Sequence, residues 1–106
     1  MRFLMMTKGE PLVAGIGPFI EELTRAGVLL ATGALDPRAT HIRSSGGKTT
    51  VTDFTEAEEA VAGFALIDVR SKEEAIQLSK RFWILAGDGE GVIQQVFDPK
   101  DAFALP

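Results

Sequence analysis

The chain has 106 residues, 45% of them apolar and 25% charged, with a net charge of -4 and neither cysteine nor tyrosine. That length fits one domain spanning residues 1–106, and the composition is that of an ordinary globular chain rather than a disordered one. The scattered Lys and Arg residues lack the basic footprint of a nucleic-acid binder, and without cysteine there are no disulfides, thiol nucleophiles or thiolate metal sites.

The opening MRFLMMTKGE has too short an apolar run for a signal peptide. No stretch approaches the roughly 20 apolar residues of a spanning helix. The expectation is a soluble, cytoplasmic protein with no membrane partner. In chain order, RFLMMT (Arg2–Thr7) reads as a short buried strand, because a helix would need more length. In IGPFIEELTRAG, Ile16, Phe19, Ile20 and Leu23 recur at helical spacing with Glu21, Glu22 and Arg25 on the other side. Pro18 suits the first turn, and Gly27 suits the left-handed position that ends a helix. VLLATGAL then reads as a strand, and Asp36–Pro37 turns the chain.

THIRSSGGKTTVTD predicts a hairpin. Gly46–Gly47 supplies the positive φ angles of a two-residue turn, which sets Arg43 opposite Thr50, Ile42 opposite Val51, His41 opposite Thr52 and Thr40 opposite Asp53. Side chains alternate along a strand. One face therefore carries Ile42, Val51 and Asp53, and the other carries His41, Arg43, Thr50 and Thr52. Val51 is expected to face the core. VAGFALIDV (Val61–Val69) predicts a central strand. SKEEAIQLSKRFW predicts a helix with Ser71 as N-cap and Glu74 completing a capping box. Glu73 and Glu74 then lie near the positive end of its dipole, and Lys80 and Arg81 near the negative end. GDGEG is a loop, VIQQVF the last strand and DPKDAFALP a tail.

With the hairpin set aside, the order is βαββαβ, the α+β ferredoxin-like or split βαβ arrangement with an inserted β-hairpin. Two helices cover one face of an antiparallel sheet and leave the other bare, which predicts a homodimer with sheets face to face.

FIEELTRAGVLL, GALDP, SGGKTTVTDFTEAEEAVAGFALIDVRSKEEAI and VIQQVFDPKD together resemble the YCII-related superfamily, in particular its DGPF-domain branch, over nearly the whole chain. The resemblance implies a dimeric ferredoxin-like α/β-barrel fold. The branch is often encoded near extracytoplasmic-function sigma factors, and some relatives are enzymes with a His–Asp pair. The branch signature Asp-Gly-Pro-Phe is shortened here to Asp53-Phe54. Glu56 keeps the acid that follows, Glu58 stands at the Lys position, and Gly-Leu-x-Pro becomes Ala34-Leu35-Asp36-Pro37.

These residues supply the candidate site. Asp53 is either an acid/base or ligand-binding carboxylate at a cleft mouth, or a brace for its turn. Thr55 with Glu58 forms a second capping box, so the following segment does not require Asp53 as its cap. His41, the single histidine, is a general base if a carboxylate orients it. The hairpin register puts it on the face opposite Asp53, which leaves Asp36 as an alternative partner. Asp36, Phe54 and Glu56 are the ligand-binding candidates. No metal site is expected, since there is no His pair and no calcium-loop spacing. GDGEG lacks the lysine and the following helix of a phosphate loop, and no cofactor is expected.

Two functions stay open at this point. One is small-molecule binding in a cleft at the dimer, with lyase- or hydrolase-like acid/base chemistry if the protein is an enzyme. The other is a non-catalytic regulatory or accessory dimer linked to sigma-factor-type transcription control.

Overall fold

The computed structural model describes residues 1–8, 15–54 and 61–102. The elements run β1 (Arg2–Lys8), α1 (Ile16–Arg25), β2 (Leu29–Ala34), β3 (Ala39–Ser45), β4 (Lys48–Phe54), β5 (Val61–Asp68), α2 (Lys72–Ala86), β6 (Glu90–Val96) and α3 (Pro99–Ala102). Strands β2, β5, β1 and β6 form one four-stranded sheet in that spatial order, with every neighbouring pair antiparallel. The architecture is α+β and compatible with a ferredoxin-like arrangement. Strands β3 and β4 pair only with each other, as a separate two-stranded sheet.

Local chemistry explains most element boundaries. Helix α1 ends where Gly27 takes φ +72°, a left-handed conformation that glycine adopts without a Cβ penalty. Helix α2 begins where the Ser71 hydroxyl accepts the Glu74 N–H at 3.1 Å. The Glu74 carboxylate reaches back to the Arg70 N–H at 3.3 Å, one residue before the cap itself. The helix runs three residues beyond Trp83, to Ala86. Ile84, Leu85 and Ala86 are helix-compatible, and Gly87 at φ 84°, ψ -140° supplies the stop. Lys80 and Arg81 consequently lie inside the helix, and its last turn carries no basic residue. The tail is not uniformly irregular: the Asp98 carboxylate accepts the Lys100 N–H at 2.9 Å, and Pro99 opens the short α3.

The hairpin register agrees with the sequence reading at every pair from Thr40–Asp53 to Ser45–Lys48. Gly46 and Gly47 take φ +57° and +77°, as a turn with two left-handed central residues requires. The placement of Val51 differs from expectation. Ile42 and Val51 are 65% and 62% exposed, because β3–β4 forms its own sheet and no layer among the described residues covers that face.

The core sits between the four-stranded sheet and the two long helices. Phe3, Leu23, Ile67, Val69, Ala75 and Leu78 are its buried members, and Met5, Phe19, Val28, Leu29, Ala65 and Ile93 pack around them. The other sheet face carries Leu4, Met6, Phe64 and Leu66, half-buried, with Val92 and Val96 exposed. No helix of the described residues is long and apolar enough to cross a membrane.

Candidate functional site

Cross-strand register decides where this molecule has room for a ligand. On the helix-facing side of the sheet, three successive rungs can be followed from strand to strand. The first is Leu29–Ile67–Phe3–Gln95, the second Thr32–Ala65–Met5–Ile93, and the third Ala34–Gly63–Thr7–Gly91. Side-chain volume falls from rung to rung. At the first, Ile67 and Phe3 fill the space beneath the helices and are 1% and 3% exposed. At the third, two glycines and an alanine leave that space unfilled.

The result is a cavity of about 260 Å³ between this end of the sheet and the two helices. Its floor includes Ala34, Gly63, Thr7 and Gly91, and α1 contributes Ile16, Phe19, Ile20 and Leu23 to its lining. Helix α2 contributes Leu78, Ser79, Phe82 and Trp83. The α1 residues are the apolar positions whose helical spacing marks its inward stripe, so that stripe serves the core at Leu23 and the cavity along its length.

Trp83, the single tryptophan, is held against glycine. A Cβ on Gly89 would stand 2.6 Å from the Trp83 ring, and one on Gly91 would stand 2.7 Å from the Met6 carbonyl oxygen and 3.2 Å from the ring. Phe82 and Trp83 meet edge to face with centroids 5.1 Å apart. The two helices are tied outside the cavity. Arg81 Nη2 donates to both carboxylate oxygens of Glu22 at 3.0 and 2.7 Å, and the guanidinium lies 5.0 Å from the Phe19 ring centroid. Arg81 and Glu22 are about half exposed, so the ion pair fixes helix orientation more than it adds stability.

The polar groups in the lining are few. Thr32 is already committed, its hydroxyl donating to the Phe64 carbonyl at 2.8 Å. Thr7 and Ser79 are half-buried, and their hydroxyls make no hydrogen bond among the described residues. No Asp, Glu, His, Lys or Arg is among the described residues of the lining. What the described lining offers a ligand is shape and hydroxyl groups, with no acid/base pair among those residues.

The residues singled out from sequence lie elsewhere. Asp36 is exposed and clasped by Arg38, whose backbone N–H, Nε and Nη2 donate to it at 2.9, 3.1 and 2.8 Å. The Arg38 hydrogen bonds hold the Asp36 carboxyl down at a pKa of about 2. Asp53 accepts the Thr40 hydroxyl at 2.8 Å across the hairpin. His41 faces away from that bond, paired across the ladder with Thr52, and the geometry does not bring it and Asp53 onto one face. None of these three lines the cavity. The Phe54 side chain, Glu56 and the Thr55–Glu58 capping box lie outside the described residues. Among the described residues, no group of three His, Asp or Glu side chains is arranged to hold a metal ion.

Thr7, Ser79 and the glycine row were not marked as site residues by the sequence. The available signal was small side chains breaking otherwise apolar strands, at Thr7, Gly63 and Gly91. The model of the YCII-related domain matches residues 1–93, and the chain belongs to that family. No curated protein matches the chain significantly.

Proposed function

We propose that this YCII-related domain is a small-molecule-binding protein that acts as a homodimer, with the cavity beneath the two helices as its site. The observation that carries the reading is the cavity itself: an apolar space at the small-residue end of the sheet, with three hydroxyl groups, one of them bonded to the Phe64 carbonyl, and no ionisable side chain among its described lining residues. Pockets of this character bind ligands by burial and take their orientation from a few polar groups. A role without bond-making chemistry suits an accessory or regulatory dimer in sigma-factor-type transcription control, the setting implied by the resemblance to the DGPF branch.

The dimer is supported by two surfaces. The sheet face carrying Leu4, Met6, Phe64 and Leu66 has no covering layer from the helices of the described residues, and apolar faces of that kind mark interaction sites. The β3–β4 hairpin exposes Ile42 and Val51 side by side, and an isolated two-stranded hairpin is marginal in water. Face-to-face sheets, each with its inserted hairpin packed against the partner, would satisfy both and give the dimeric ferredoxin-like barrel. The absence of cysteine and the acidic composition suit a cytoplasmic location.

The test is a thermal-shift screen of small molecules against the wild type and Ser79→Phe, whose added ring fills the cavity. Compounds that stabilise the wild type but not the variant support the reading, and equal stabilisation of both would place binding elsewhere. Sedimentation at micromolar concentration tests the dimer, and a monomer across that range refutes it.

A second site reading places Asp53, Asp36, Phe54 and Glu56 at the subunit junction, with His41 as a general base. Its support is the resemblance to the DGPF branch, which keeps this acid, whereas the Thr40 hydroxyl donating to Asp53 at 2.8 Å suits the brace. Under this reading Asp53→Asn abolishes ligand binding and leaves stability unchanged. Retained binding in that variant would sink it.

A further inference from the structure

The cavity's volume, the lack of charge among its described lining residues and its two uncommitted hydroxyl groups bear on what it accepts. A cavity of 150 Å³ lined by aliphatic and aromatic side chains holds benzene. The cavity here, about 260 Å³, is larger by a factor of roughly 1.7, which scales to a molecule of about ten non-hydrogen atoms. Its described lining also bears on charge. A carboxylate or ammonium moved into an apolar space without a partner loses its hydration and gains nothing in return, and the described lining offers no opposite charge.

The polar contacts come from two elements, β1 and α2. Thr7 stands on the floor between Gly63 and Gly91, its partners across the ladder, and Ser79 joins the lining from α2. Neither hydroxyl is sealed away without a partner, and neither has one among the described residues. Both therefore meet the open space, where they serve as donor or acceptor to an occupant. Trp83 offers its ring as a broad apolar wall held in place by the glycines it rests on.

We infer that the cavity takes an uncharged, bicyclic-sized apolar molecule bearing one carbonyl or hydroxyl group, which hydrogen-bonds to Thr7 and Ser79 while its rings lie against Trp83. The inference rests on the reading that this cavity is the binding site, and it adds the ligand's class and its specificity residues.

Three matched probes separate the possibilities: decalone, decalin and decahydronaphthoate. They share one bicyclic skeleton and differ in carrying a ketone, nothing or a carboxylate. They are transparent where tryptophan emits, so Trp83 fluorescence reports occupancy directly, with calorimetry as an independent measure. Decalone is expected to bind and shift the Trp83 emission, decalin to bind more weakly, and decahydronaphthoate not to bind at the same concentrations.

Thr7→Val and Ser79→Ala each remove one hydroxyl with little change of shape. Each is expected to weaken decalone roughly two- to tenfold, the equivalent of one hydrogen bond, and to leave decalin unchanged. Two variants on different elements guard against a folding defect in either, and decalin binding confirms that the cavity is intact. Carboxylate binding as tight as that of the ketone, or decalone affinity unmoved in both variants, overturns the ligand class while leaving the cavity as a site. If none of the three probes binds, the cavity is not a binding site and the functional reading falls with it.

Discussion

Replacing Gly91 by alanine tests the physical origin of the cavity. Gly91 belongs to the rung Ala34–Gly63–Thr7–Gly91 and lies opposite Thr7. A Cβ there would sit 2.7 Å from the Met6 carbonyl oxygen and 3.2 Å from Trp83. The first contact is with backbone in the neighbouring strand, so relief requires β6 to move away from β1. Overpacking of this kind costs about 1–3 kcal/mol. Alanine offsets part of that, because the unfolded chain loses conformational freedom worth about 0.4–1 kcal/mol. The net expectation is a loss of about 1–2 kcal/mol, or roughly 4–15 °C in melting temperature for a domain of this size.

Two neighbouring glycines serve as controls. At Gly63 the new Cβ would meet the Thr7 hydroxyl at 3.2 Å and the Gly33 carbonyl at 3.4 Å, separations that a small shift relieves, so Gly63→Ala should melt within about 2 °C of the wild type. At Gly89 the obstacle is the Trp83 ring at 2.6 Å, a side chain and not a strand. Gly89→Ala should move Trp83 emission with a smaller loss of stability. The assay is thermal unfolding followed by circular dichroism and Trp83 fluorescence. Gly91→Ala melting with the wild type, or the three variants falling in the reverse order, would mean that the glycine row does not set the fit between sheet and α2.

Three further outcomes are expected. Leu66→Asp puts a charge on the sheet face away from the helices, where Leu66 is half-buried, so sedimentation should show a folded monomer in place of the proposed wild-type dimer. An unchanged dimer would exclude that face as the interface. Ser71→Ala removes the acceptor of the Glu74 N–H and should cost about 1 kcal/mol in urea unfolding; no change in midpoint would show that the cap contributes nothing. Asp36 ionises at about 2, below its ordinary value of 3.8, so the stability it contributes is present above the unfolded pKa and is lost as pH falls through about 2. Its carboxyl carbon should titrate near 2 by NMR and move toward 3.8 in Arg38→Gln, and a midpoint insensitive to that substitution would remove Arg38 as the cause.

Features set by a few adjacent residues were legible without the fold. The Gly46–Gly47 turn determines the hairpin register through backbone φ alone, and Ser71 with Glu74 starts α2 through side-chain-to-backbone bonds three residues apart. The apolar strand Val61–Asp68 is central because its sequence is apolar at both parities, and it lies between β2 and β1. The end of α2 was less legible, since Trp83 to Ala86 remain helix-compatible and the stop waits for Gly87.

What tertiary structure alone decided is which side chains meet. Val51 looked inward by alternation, but alternation determines sides and not what lies beyond them, and β3–β4 pairs apart from the main sheet. The cavity needed the same information. Thr7, Ala34, Gly63 and Gly91 are unremarkable in four separate strands, and their small size matters only because long-range pairing lines them up on one rung. Sequence patterns carry periodicity within an element, whereas empty volume depends on the sum of side chains across several. That sum exists only once the strands are in register and the two helices lie over them.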